Sequence, residues 1–195
     1  LSDTDIIFHE TFDNNKNDWP IASNDRLTTK IKKGYYLFLF EDSSDSGRIW
    51  KNVPIDSKSD FEIEMVFTKA DGEENKAFGI TWGGTDNQRS LLFDKYSLYS
   101  FYITDTGYFK YCKLEQGRYT DIIPWTESPH LKKGEDKNAV KIRKSGDNLV
   151  FYINNQLVSK AGFEEFFGNN IGFEINGEME FEIEDIVVKG KRLTK

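Results

Sequence analysis

The chain has 195 residues, with 26 lysines and arginines against 33 aspartates and glutamates, and 37% of it is hydrophobic. That length suits one large domain able to bury a core without metal or disulfide support, and we expect a single domain over residues 1–195. The net charge of −7, with no concentrated basic patch, excludes a nucleic-acid backbone as partner.

The single Cys112 rules out an internal disulfide and a CxxC metal knuckle. No apolar run approaches the ~18 residues needed to insert in a membrane. No basic-then-apolar leader is visible, and Leu1 reads as the start of a processed chain. The 16 Phe, 9 Tyr and 4 Trp favour strands, where rings pack across a pleated surface.

In chain order the apolar residues recur at every second position. Ile6, Phe8 and Phe12 open the chain, with His9 expected on the polar face of an edge strand. Residues 35–40 and 98–103 are apolar on both faces, so each second face must meet a loop, a partner or a ligand. Phe61, Ile63, Met65 and Phe67 alternate with Glu62, Glu64 and Val66; Phe78, Ile80 and Trp82 follow and stop at Gly83-Gly84. Val140 and Ile142 lead into a Ser145-Gly146-Asp147 turn, and Leu149, Phe151 and Ile153 lead into Asn154-Asn155, whose side chains tolerate a tight turn. Phe163 to Phe167 carry the only helical signal, at most one or two turns. Ile171, Phe173 and Ile175 precede Asn176-Gly177, a strong hairpin signal. In the final strand Met179, Phe181 and Ile183 hold one register while Ile186 and Val188 hold the other, which predicts a bulge near Glu184-Asp185. About thirteen strands with almost no helix predict an all-β, antiparallel sandwich with its first and last strands adjacent.

Serine catalysis lacks its parts: the two histidines, His9 and His130, stand without a GxSxG. Retaining glycoside hydrolysis needs two carboxyl groups about 5–5.5 Å apart. Glu62/Glu64 and Glu182/Glu184 have suitable spacing, yet each run lies opposite an apolar face, as a solvated sheet surface does. Asp13-x-Asn15-x-Asn17 repeats the first alternating ligands of a calcium loop, but Asp18 replaces the expected glycine and Asn24 the terminal glutamate. A looser calcium site at Asp13, Asn15 and Asn17 is the one cofactor to test. Cys112 reads as a buried thiol. Trp19, Trp82 and Pro124-Trp125 read as core or strand-end rings. Rings near loops stack on sugars while amides and charges bond the hydroxyls, which selects Tyr96, Tyr99, Tyr102, Trp125, Arg89, Asn87 and Gln88 as the ligand-binding set.

Several segments together resemble the concanavalin A-like lectin/glucanase superfamily, in particular its laminin-G-like and bacterial LamG-like branches. They are Thr11-Phe12-Asp13-Asn14-Asn15 with Trp19, Gly34-Tyr35-Tyr36, Asp60-Phe61-Glu62-Ile63-Glu64-Met65 and Phe78-Gly79-Ile80-Thr81-Trp82-Gly83, followed by residues 138–144, 149–155, 171–173 and 181–186. The resemblance implies a jelly-roll sandwich of two large antiparallel sheets, one of them curved. Its members bind glycans or proteins, some with calcium, and others hydrolyse polysaccharides. The hydrolytic Glu-x-Asp-x-x-Glu motif is matched neither by Glu62-Ile63-Glu64-Met65 nor by Glu180-Phe181-Glu182-Ile183-Glu184. The expectation is therefore a noncatalytic module for glycan or a partner protein, within a larger extracellular, periplasmic or cell-surface protein. A glycoside hydrolase and a structural interaction domain are the alternatives.

Overall fold

The computed structural model describes residues 5–32, 34–85 and 96–193. Its strands are β1 (Ile6–Glu10), β2 (Ala22–Ser23), β3 (Leu27–Lys32), β4 (Tyr35–Phe40), β5 (Ser46–Asn52), β6 (Phe61–Gly72), β7 (Phe78–Gly84), β8 (Leu98–Ile103), β9 (Tyr108–Glu115), β10 (Arg118–Glu127), β11 (Asn138–Ser145), β12 (Asn148–Ile153), β13 (Gln156–Gly162), β14 (Asn170–Asn176) and β15 (Met179–Lys189). No α-helix occurs among the described residues. Nine strands form one sheet in the order β13-β12-β11-β6-β15-β4-β3-β2, with β1 also on β15; six form the other, β10-β9-β8-β7-β14-β5. Every pairing is antiparallel. The result is an all-β jelly-roll-like sandwich in which the first and last strands are neighbours.

Aromatic rings from the two sheets meet directly. Phe101 of β8 stacks on Phe151 of β12 at 5.0 Å between centroids, Phe78 of β7 meets Phe181 of β15 at 5.3 Å, and Phe38 of β4 meets Phe173 of β14 at 5.7 Å. Offset and edge-on geometry of this kind adds to the area each ring buries. The bulge in β15 lets one strand keep both halves of its apolar pattern inside. Its pairing with β6 shifts between Ile183 and Asp185, so Met179, Phe181 and Ile183 before the shift and Ile186 and Val188 after it are all at most 1% exposed. Asn154 and Asn155 take φ of 51° and 65° between β12 and β13, the left-handed pair that a tight two-residue hairpin requires.

Residues 163–167, which carry the helical signal in the sequence, form no helix. Phe167 N and Gly168 N both bond to the Gly83 carbonyl at the end of β7, at 3.0 and 2.9 Å. Phe163 and Phe166 both pack on Phe61, at 6.2 and 5.2 Å, while Phe167 stacks on Tyr99 at 5.3 Å, so the rings close two parts of the mouth of the core. Pro124-Trp125 lies within β10 rather than at a strand end. β10 is an edge strand whose register shifts twice, conditions under which proline is tolerated. Trp19 and Trp82 are core residues, 3% and 0% exposed.

Candidate functional site

Side chains alternate along the six-stranded sheet, so every second residue leaves the core and lines its outer face. The ladder sets those residues in rows across the strands. One row holds Arg48, Glu174, Gly79, Tyr102 and Lys110; the next holds Trp50, Gly172, Thr81, Ser100 and Cys112. A row at the end of the sheet begins with Ser46 and Asn176. Asn176 N bonds to the Ala77 carbonyl at 2.8 Å, and across β8 and β9 Thr104 N bonds to the Tyr108 carbonyl at 2.9 Å.

The Tyr119 phenol on β10 donates to Glu174 Oε1 on β14 at 3.2 Å. Strands β9, β8 and β7 stand between them, a span of about 19 Å across a flat sheet. The sheet must curl toward this side, and its outer face is concave. Glu174 is the only charge in β14 and has no exposed surface. Arg48 donates to its Oε2 from both Nε and Nη2, at 2.9 and 2.6 Å, while the guanidinium also lies over the rings of Trp50 and Tyr96. Burial is the largest influence and works against the Arg48 charge, but Glu174, Tyr119 and Tyr102 together outweigh it and the arginine pKa is raised. Tyr119 is 51% exposed as a whole, but its hydroxyl end reaches the buried Glu174, and desolvation there, reinforced by the Glu174 charge, pushes the phenol up to about 12. Thr81 Oγ1, Ser100 Oγ and Tyr102 OH, in the same two rows, are buried without a hydrogen-bond partner among the described residues. Cys112 is buried as read, its thiol pushed up to about 12 by burial, so it stays protonated and unreactive near neutrality.

At the end row the face opens. A hollow of about 430 Å³ is lined by Asn75, Lys76, Ala77, Thr104, Tyr108 and Trp125. A second, of about 300 Å³, shares Lys76 and is lined by residues 43–46, Asn176 and Gly177. Tyr108 and Trp125 are 39% and 42% exposed, large rings left at the surface of a chain that buries most of its aromatics. Lys110 Nζ stands 5.3 Å from the Trp125 ring centroid and 3.0 Å from Asp121, so a cation–π contact steadies the ring.

The ligand-binding set read from the sequence is only partly brought together. Trp125 lines the hollow. Tyr102 lies on the concave face but is buried, and Tyr96 joins the Trp50–Arg48 wall, 5.5 Å from Trp50. Tyr99 faces the opposite way: it stacks on Trp82 at 5.9 Å inside the core, and its hydroxyl donates to the Glu165 carbonyl at 3.0 Å. The reason is parity, since residues 99 and 102 of one strand point to opposite faces. Asn87, Gln88 and Arg89 lie outside the described residues. Asn15 and Asn17 serve their own loop rather than a shared point. Asn15 clamps the Trp19 backbone through bonds of 2.7 and 3.1 Å, and Asn17 donates to Glu10 at 2.6 Å, while Asp13 accepts from Thr11 at 2.9 Å. Among the described residues no group of three or more His, Cys, Asp or Glu side chains could hold a metal.

Residues the sequence reading missed include Tyr108, Asn75, Lys76, Thr104, Arg48, Glu174 and Tyr119. Glu174 did carry a signal, a lone charge inside Ile171 to Ile175. Tyr108 carried one too, alternating with Lys110 and Cys112 on the face away from Phe109 and Tyr111.

No protein-family model matches the chain, and no curated protein does. Solved structures do match. A carbohydrate-binding module, CBM66, from Bacillus subtilis aligns over 95% of this chain and 97% of its own, at 18% identity and a TM-score of 0.55. A protein of unknown function with a galectin-like fold, also from Bacillus subtilis, aligns over 97% of both chains at 11% identity and a TM-score of 0.65. A prokaryotic β-1,3-1,4-glucanase from a mouse hindgut metagenome aligns over 94% of this chain and 99% of its own at 9% identity and a TM-score of 0.63. The chain has a concanavalin A-like jelly-roll fold. Likeness at these identities speaks for the fold, which is shared by binding modules, lectin-like proteins and glycosidases.

Within this concanavalin A-like frame the acidic runs belong to the nine-stranded sheet. Glu62 and Glu64 sit on β6 opposite its core-facing residues, and Glu62 accepts from Arg143 Nε and Nη2 at 2.8 and 2.5 Å. Lys141 lies 3.0 Å from Glu64 and 3.7 Å from Glu62, and Glu184 pairs with Lys137. These carboxylates are tied into ion pairs on the sheet that does not carry the concave face.

Proposed function

We propose that this chain is a noncatalytic module that binds glycan in the groove between Tyr108, Trp125 and the Asn75–Lys76 loop, as part of a larger protein acting outside the cytoplasm. The observation that carries it is the pair of exposed rings lining one hollow with an amide, a hydroxyl and an ammonium. Rings of this kind stack on the C–H faces of sugars, and the polar groups bond their hydroxyls. The missing Glu-x-Asp-x-x-Glu motif speaks against the hydrolytic branch of the superfamily. A hydrolytic reading has Glu174 on the concave floor in its favour, but Arg48 already engages that carboxylate, which leaves it poorly suited to donate a proton.

The test is affinity electrophoresis and calorimetry against mixed-linkage β-glucan, β-1,3-glucan, xylan, pectin and mucin O-glycans. At least one should retard the wild type, and Trp125→Ala and Tyr108→Ala should each weaken it about tenfold, equivalent to about 1.4 kcal/mol. Binding that survives both substitutions removes the groove as the site. A wild type that binds none of them while releasing reducing sugar, or capturing a protein, favours one of the two alternatives.

A further inference from the structure

One charged pair lies at the edge of the core, beside the groove but outside it. Lys69 follows Phe61, Ile63, Met65 and Phe67 on the inner face of β6, where every earlier position is apolar. Its side chain is 5% exposed, and its partner Asp105, just after β8, is 8% exposed. Lys69 Nζ donates to Asp105 Oδ2 and to the Glu73 carbonyl, both at 2.5 Å. The nine-stranded sheet thus grips two loops that border the other sheet.

The grip passes to the groove. Asp105 Oδ1 accepts from Asn75 N at 2.8 Å, and Asn75 is held at φ 59°, a left-handed conformation that a free loop visits rarely. Thr106 Oγ1 donates to Asn75 Oδ1 at 2.8 Å and lies 2.9 Å from Thr104 Oγ1, which in turn accepts from Tyr108 N at 3.2 Å. The Asp105 carbonyl accepts from Gly134 N at 3.0 Å. Asn75, Thr104 and Tyr108, three of the groove's lining residues, therefore hang from one buried carboxylate.

We propose that the Lys69–Asp105 ion pair is the positioning device of the groove, holding the Asn75–Lys76 wall in its binding geometry and so setting saccharide affinity without touching the saccharide. This rests on the reading of the groove as a glycan site. A buried pair is a costly way to stabilise a fold, because apolar residues of similar size commonly serve as well. What apolar residues cannot supply is an acceptor for Asn75 N.

The experiment compares wild type with Lys69→Met and with the double variant Lys69→Met/Asp105→Leu. Lys69→Met strands the Asp105 carboxylate and should lower Tm. The double variant should recover to within about 5 °C of wild type, yet exchange its Asn75 amide at least about tenfold faster and bind mixed-linkage β-glucan, or whichever polysaccharide of the panel retards the wild type, about tenfold more weakly. A merely structural pair predicts that exchange and affinity return together with Tm, and that result overturns the proposal. Faster exchange with unchanged affinity overturns it as well. A wild type retarded by no polysaccharide sinks the groove reading instead, and the two failures are distinct because the exchange measurement needs no ligand. Should the double variant fail to fold, Asp105→Asn keeps a side-chain oxygen for Asn75 N but removes the charge that Lys69 holds. It should give the same changes in smaller degree, and wild-type exchange and affinity there would also refute the proposal.

Discussion

Replacing Arg48 by methionine leaves Glu174 as a carboxylate with no exposed surface and, among the described residues, one remaining donor, the Tyr119 phenol at 3.2 Å. It loses the bonds of 2.9 and 2.6 Å from the guanidinium. Removing one partner of a pair buried this deeply costs about 3–5 kcal/mol. For a chain of 195 residues this is a fall in Tm of about 6–20 °C, at about 2–4 °C per kcal/mol. Arg48→Met/Glu174→Met removes both charges and should return to within about 1 kcal/mol of wild type or exceed it, since desolvation of two ions is then no longer required. Thermal and urea unfolding followed by circular dichroism at neutral pH measures both. A loss below about 1 kcal/mol for Arg48→Met, the value of an exposed pair, would refute the claim that the concave floor is dry at Glu174. The double variant also bears on function. If the pair is a strut for the curled sheet, polysaccharide binding at Tyr108 and Trp125 survives its removal; lost binding would relocate the site to the centre of the face.

The tyrosines set a second expectation. Burial pushes Tyr36 and Tyr119 up to about 12, and Tyr99, Tyr102 and Tyr111 higher still. A pKa raised by folding contributes stability below the unfolded value of about 10, and that contribution is lost as pH rises through 12. Absorbance at 295 nm should therefore show a delayed group of phenols ionising together with loss of the near-ultraviolet dichroism; nine phenols titrating reversibly near pH 10 in a folded chain would contradict it. Deletion of Glu184 should be far more damaging than Glu184→Ala. Without the extra residue, Ile186 and Val188 turn outward and Val187 and Lys189 inward, so the deletion variant should fail to unfold cooperatively while Glu184→Ala melts close to wild type.

The fold was legible because burial and strand parity are local facts. Met179 to Val188 shows this best: two apolar registers within one strand can both face a core only across an inserted residue, and the pairing shifts where the sequence demands it. The asparagine pair at 154–155 was equally plain, because few residues accept φ above zero twice in succession. Residues 163–167 misled because three phenylalanines in five positions fit a helical face and a loop edge alike. The choice was made by the Gly83 carbonyl, far from Phe167 and Gly168 along the chain.

The site was harder because membership depends on curvature, and curvature leaves no period in the sequence. Tyr119 reaches Glu174 only after four strand intervals have bent into an arc, and Asn75 gains its role from a lysine on the opposite sheet. Parity alone would have separated Tyr99 from Tyr102, and it would have set Tyr108 on the face of Lys110, where Trp125 also stands. A search for rings on the polar parity of otherwise apolar strands selects Tyr102 and Tyr108 and rejects Tyr99. Of those two, Tyr102 in the interior row is 3% exposed, whereas Tyr108, beyond the last interior row, is 39% exposed and lines the hollow.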